Sequence, residues 1–195
     1  FNVTAVCRNN SKPLTELDVT IIEGIEVTKA ADLLRMQESI GDTAVDILIN
    51  NAGLLNKDEL GEIDAGSLRA QYEVNAIAPL RVTEALLDNL HDGSKVALIT
   101  SRMGSIADNG SGNRYGYRMS KAALNAAGKS LALDLKDQGI AVVLLHPGYV
   151  QTDMVGHRGN ISASEAAQRL IQRIDELDME KSGRFFHSNG EELPW

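Results

Sequence analysis

The sequence predicts an α/β fold, a doubly wound parallel sheet with helices on both faces. Three observations predict it. Short, almost wholly apolar runs recur at strand length: Val45 to Ile49, Val96 to Thr100 and Ile140 to Leu145. Such runs suit strands buried on both faces. Helical stretches alternate with them, the order expected of a parallel sheet. The unusual polar and glycine residues cluster just after the runs, at the strand carboxyl ends where such sheets bind ligands.

The elements follow in order. Phe1 to Val6 alternates like a strand, and CRNNSKP turns away from it. A second strand is expected near Val19 to Ile22, then a helix from about Thr28 to Ser39. VDILI ends in Asn50-Asn51-Ala52-Gly53. A long helix is expected from about Gly66 to Leu90, with Asp64 as its N-cap. The strand at Val96 to Thr100 leads through a glycine-rich loop to a helix over 116–137 that stops near Gly139. Ile140 to Leu145 runs into HPGYVQTDM. A helix from about Ala163 to Leu177 and a strand near Arg184 to His187 follow. No linker or composition shift divides the chain, so one domain is expected over 1–195.

Composition narrows the function classes. A net charge of -8 over 195 residues argues against nucleic acid as a general partner. Cys7 stands alone, which excludes an internal disulfide and suits a reducing, cytoplasmic compartment. Four scattered histidines show no metal-ligand spacing, so no metal is expected. No apolar run approaches the roughly 20 residues that span a bilayer. The chain opens on Phe1 rather than methionine, as in a processed or truncated chain.

The chemistry concentrates between Ile99 and Lys121. Tyr117 and Lys121 are four residues apart, about one helical turn, so phenol and ammonium share a helix face. Ser101 lies at a strand end facing them. A hydroxyl that holds a carbonyl oxygen, beside a phenol that protonates it, makes an acid–base site. The cation should stabilise the phenolate and lower the tyrosine pKa from about 10.

Other positions carry two readings each. The NNAG segment suits a tight turn, yet Ala52 and Gly53 also let a flat ligand approach the backbone. Asn75 lies mid-helix with Pro79 four residues on. Proline supplies no N–H, so the Asn75 carbonyl is freed, either to a water at a kink or into a 3₁₀ adjustment. Pro147-Gly148 is a turn signal, and Thr152 beyond it could bond an amide-bearing ring.

Taken together and in this order, Asn50-Asn51-Ala52-Gly53, Asn75, Ser101, Tyr117-x-x-x-Lys121 and Pro147-Gly148 resemble the short-chain dehydrogenase/reductase family, whose fold is Rossmann-like. The CRN turn, the YRMSKAALN helix start and the GRFFHSNGEELPW ending resemble its small, C-factor-like carbonyl reductases. The resemblance implies an NADP(H)-dependent interconversion of carbonyl and alcohol. Tyr117 would be the acid–base, Ser101 would position the substrate oxygen, and Lys121 would hold the nicotinamide ribose and tune Tyr117. The Asn75 carbonyl would hold a relay water.

Asn50, Ala52 and Gly53 would lie beside the adenosine, and Pro147, Gly148, Val150 and Thr152 beside the carboxamide. Arg8 resembles the basic residue that marks NADP preference, and Glu26 stands where the family has an aspartate beside the adenine. The family packs the 116–137 helix in homodimers or homotetramers, and Ala122, Ala123, Ala126, Ala127 and Ser130 suit that here. Residues 155–162 look like a short mobile lid. One departure is large. The family's first strand and its TGxxxGxG turn have no counterpart, so the fold is expected N-terminally truncated, with apolar sheet edges exposed. That departure motivates an alternative, a catalytically silent scaffold.

Overall fold

The computed structural model describes residues 1–195. Its strands are β1 (Thr4–Cys7), β2 (Thr20–Glu23), β3 (Ile47–Asn50), β4 (Lys95–Ile99), β5 (Ala141–His146) and β6 (Arg184–His187). Its helices are α1 (Lys12–Thr15), α2 (Ala30–Ile40), α3 (Ala65–Tyr72), α4 (Ala78–Ala85), α5 (Tyr115–Asp134) and α6 (Ala163–Asp175). All ladders are parallel, and β3 to β6 lie side by side in chain order.

The central strands explain the layers. Successive side chains of a strand point to opposite faces, so a strand covered on both sides must be apolar throughout. In β4 and β5, Val96, Leu98, Val142 and Leu144 pack with Leu124, Ala132 and Leu135 on the α5 face. Ala97, Ile99, Val143 and Leu145 pack with Ile174 and Leu177 on the α6 face. Each fully buried Leu or Val contributes about 1.5–3 kcal/mol. Gly128 lets α5 settle on the sheet, because a Cβ there would stand 2.7 Å from Leu98 Cδ1 and 2.8 Å from Leu144 Cδ2.

The exposed sheet edges expected where the family's first strand has no counterpart are present, and one other expectation needs correction. The sheet is not continuous: β1 and β2 form their own pair, and no ladder joins them to β3–β6. The cost falls on the facing edges, where Val6 and Ile49 are 37% and 47% exposed. Side chains hold the parts together instead. Ile25, Leu33, Met36, Val82 and Leu86 form a buried cluster joined by Ile22 from β2 and Leu48 from β3.

The expectation to correct is the long helix over residues 66–90, which is broken. It starts as predicted, with the Asp64 side chain accepting from Gly66 N at 2.8 Å. It then widens into a π-helical turn at Glu73–Ile77, resumes as α4 and ends in a 3₁₀ turn at Leu87–Asn89. The cause is Pro79, whose ring cannot follow an unbroken α-helix. A π-helical turn, rather than a 3₁₀ adjustment, thus absorbs Pro79 beside Asn75.

Candidate active site

The carboxyl ends of β3, β4 and β5 deliver three segments to one place. From β4 the chain passes directly to Ser101, which is almost fully buried and begins a 3₁₀ turn at Arg102–Gly104. Its Oγ accepts from Met103 N at 3.2 Å. Tyr117 and Lys121 project from the start of α5, 8% and 3% exposed. Lys121 Nζ donates to the Ile99 carbonyl at 2.8 Å and lies 5.8 Å from the centre of the Tyr117 ring. Ser101, Tyr117 and Lys121 thus meet, as the spacing predicts.

Electrostatics correct one expectation. Burial pushes the Tyr117 phenol above its ordinary value, and a hydrogen bond with Ser101 only partly opposes this. The expected lowering by the cation is absent, because Lys121 directs its ammonium at the Ile99 carbonyl. Burial lowers Lys121 itself from 10.5 to about 8. A proton donor that keeps its proton at neutral pH sits beside an amine that is readily deprotonated.

Asn75 joins this group from the π-helical turn. Its side chain is fully committed: Nδ2 donates to Leu54 O at 2.7 Å and to Ser120 Oγ at 2.9 Å, and Oδ1 accepts from Leu54 N at 2.7 Å. The side chain therefore fixes the segment after NNAG, while Pro79 leaves the Asn75 carbonyl without its i+4 donor. Asn50 is tied to α4, donating to Thr83 Oγ1 at 3.2 Å. Asn50, Ala52, Val27, Pro79 and Val82 line a small cleft. A Cβ on Gly53 would make only ordinary contacts, 3.5 Å from Asn75 Oδ1 and 3.8 Å from Met154 Cε.

Arg8, beyond β1, is largely exposed and pairs with Glu26 beyond β2 at 3.3 Å. These two residues, placed by the sequence on either side of one subsite, meet in the structure. They stand on the β1–β2 pair, separate from the sheet that carries Asn50 and Ser101. The Pro147 carbonyl accepts from Ser188 Oγ at 2.9 Å, and Gly148 takes φ +97° against His187. Beneath this turn the rings of His146 and His187 meet edge-on, with centres 4.9 Å apart. Burial holds His146 neutral, at a pKa of about 3.

The expected mobile lid is fastened at its base. Val150 bridges Ile161, Gln151 N donates to Ile161 O at 2.9 Å, and Asn160 N to Tyr149 O at 2.6 Å. Thr152 opens a 3₁₀ turn at Asp153–Val155 that carries Met154 toward Gly53. Sequence reasoning missed Asp58, Gln71 and Ser120, which bond the loops and helices around Tyr117 and Asn75. The signal was spacing: Ser67, Gln71 and Asn75 recur every four residues as one polar stripe along the helix.

A sequence profile described as short chain dehydrogenase matches residues 3–162. The chain belongs to that family, whose members are oxidoreductases. It is 39% identical over 200 residues to 1-hydroxy-2-glutathionyl-2-methyl-3-butene dehydrogenase of Rhodococcus sp. (strain AD45), spanning 100% of this chain and 88% of that one. It is 48% identical over 154 residues to C-signal of Myxococcus xanthus, spanning 77% and 93%, which places it with the C-factor-like kind. Among solved structures, an NADPH-bound carbonyl reductase from chicken fatty liver superposes with a TM-score of 0.91 at 28% identity, covering 100% of this chain and 88% of that one. The carbonyl reductase Sniffer of D. melanogaster gives 0.90 at 28%, with the same coverage. No helix is long and apolar enough to cross a membrane.

Proposed function

We propose that this chain is an NADP(H)-dependent oxidoreductase that interconverts a carbonyl and an alcohol. The observation that carries the reading is the buried meeting of Ser101, Tyr117 and Lys121 at the carboxyl end of β4, in a chain similar to carbonyl reductases. The residues fit a dinucleotide. Gly53 has no side chain to cover its backbone, Asn50 and Ala52 line a small cleft, and Arg8 presents an exposed guanidinium suited to a 2′-phosphate.

When bound, the nicotinamide supplies or takes the hydride. Tyr117 gives its proton to the carbonyl oxygen in reduction and recovers it in oxidation. Its raised pKa keeps it protonated until the oxyanion develops. The Ser101 hydroxyl holds that oxygen and is the side-chain hydrogen-bond partner of the Tyr117 phenol, and Lys121 would orient the ribose. The Asn75 carbonyl holds a water through which Lys121 exchanges protons with solvent. Val150, Thr152 and the Pro147-Gly148 turn would hold the carboxamide. The chain acts as one domain in a reducing compartment, the cytoplasm. It assembles as a homodimer or homotetramer through α5, where Met119 and Leu133 are exposed.

Tyr117→Phe should abolish turnover of a panel of aldehydes and ketones while leaving the circular dichroism spectrum unchanged. Wild-type rates in that variant would end the mechanism. One observation favours a second reading, a silent scaffold: Arg8 and Asn50 stand on separate sheets. The two readings part on whether the folded chain binds NADPH.

A further inference from the structure

Asp58 is a carboxylate that the proposed chemistry does not use. It is 1% exposed, in a segment without regular secondary structure, five residues beyond Gly53. Burying a carboxylate costs several kcal/mol unless its surroundings compensate. No lysine or arginine pairs with it; its ion-pair partner is replaced by neutral donors. Gln71 Nε2 donates to it at 2.8 Å, Gly116 N at 3.1 Å and Ser67 Oγ at 3.2 Å, and its own carbonyl accepts from Arg114 N at 3.1 Å.

Two of those donors belong to the start of α5. That helix opens unusually: Arg114 precedes it in the left-handed region, with φ 56°, and no side chain of the local sequence caps it. A helix leaves its first N–H groups without partners and presents a partial positive charge there. Asp58 satisfies one of these groups from a distant segment. The residue after Gly116 is Tyr117, so the contact that caps the helix also fixes where the phenol begins.

The other end of the link is equally defined. Residues 54, 56 and 58, alternate positions of this segment, each bond to the helical stretch beyond Asp64. They meet helix positions spaced four apart: Leu54 bonds Asn75, Asn56 N donates to Gln71 Oε1 at 3.0 Å, and Asp58 takes Ser67 and Gln71. The segment leaving NNAG is zipped to α3 and the π-helical turn, and its last tooth holds α5. The fit is close. A Cβ on Gly116 would overlap Gln71 Nε2 and stand 2.8 Å from Asp58 Oδ2 and 2.9 Å from Leu68 Cδ2.

We propose that Asp58 is a positioning residue for Tyr117, tying the NNAG segment to the first turn of α5 so that the phenol is held against Ser101. The inference rests on the reading of Tyr117 as the proton donor. A misplacement of about 1 Å can cost on the order of a hundredfold in rate. Asp58→Ala should lower kcat by about tenfold to a hundredfold with little change in KM, since the phenol acts in the transition state. Asp58→Asn, which keeps an acceptor for Gly116 N, should restore most of the rate.

Should Asp58→Ala not fold, Gly116→Ala serves in its place. Alanine favours a helix, by about 1 kcal/mol over glycine, yet its Cβ strikes the Asp58–Gln71 contact. It should therefore lower kcat in a folded protein. Ultraviolet titration of the phenol, taken as the difference from Tyr117→Phe, reads position without turnover. Loosening the first turn admits water, so the raised pKa should fall in Asp58→Ala or Gly116→Ala.

A wild-type kcat, or an unmoved phenol titration, in the folded variant would overturn the positioning role. An active Tyr117→Phe would instead remove the proton-donor assignment, while the titration still decided whether Asp58 places the ring.

Discussion

Lys121 shows how one residue joins stability to chemistry. Its ammonium is held among apolar neighbours with one carbonyl as partner, and burial lowers its pKa from 10.5 to about 8. Below about 8 the group is charged in both folded and unfolded chains, and the burial cost is carried in full. Between about 8 and 10.5 the unfolded chain binds more protons, so stability rises with pH. The wild type should therefore gain about 3 kcal/mol relative to Lys121→Met across that window. Groups common to both chains cancel in the comparison. Denaturant unfolding at either end of the window measures it, and a constant difference would mean that Lys121 is solvated. Sequence spacing brought Lys121 and Tyr117 together correctly. It could not show that the ammonium points at Ile99, because that depends on how deeply α5 packs, which Gly128 sets.

At the scale of elements, the instructive case is the break between α3 and α4. Helical periodicity continues through it, so the sequence reads as one helix. Pro79 is the visible warning, and the π-helical turn at Glu73–Ile77 is its outcome. Pro79→Ala would supply an N–H to the Asn75 carbonyl and let the helix run on. The variant should be more stable, by up to about 3 kcal/mol, and slower, because that carbonyl is withdrawn from the water it is proposed to hold. Thermal unfolding and kcat measured together test this; a more stable variant with full activity would detach Asn75 from the relay. The lid shows the reverse limitation. Glycines at 156 and 159 mark the segment, but the backbone bonds that tie its base, between 149–151 and 160–161, arise from register, which composition does not reveal.

For the whole molecule, the layers and the gap in the sheet were legible, and what bridges the gap was not. Apolar runs marked β4 and β5 as buried on both faces, and both are. The split between β1–β2 and β3–β6 matches the exposed edges expected where the family's first strand has no counterpart; the side-chain cluster that spans the gap is long-range packing that no local pattern encodes. It matters because the proposed cofactor residues are shared between the two parts. Arg8 lies on one and Asn50, Gly53 and Thr152 on the other, held together by the cluster around Met36 and Val82. If the site works as proposed, that cluster is sufficient to keep the parts in register.

Calorimetric titration of the folded chain with NADPH, with NADH and Arg8→Glu alongside, tests the account most directly. The account predicts binding in the micromolar range, NADPH preferred over NADH, and that preference lost in Arg8→Glu, whose carboxylate would repel the 2′-phosphate. A folded chain that binds neither dinucleotide would contradict it.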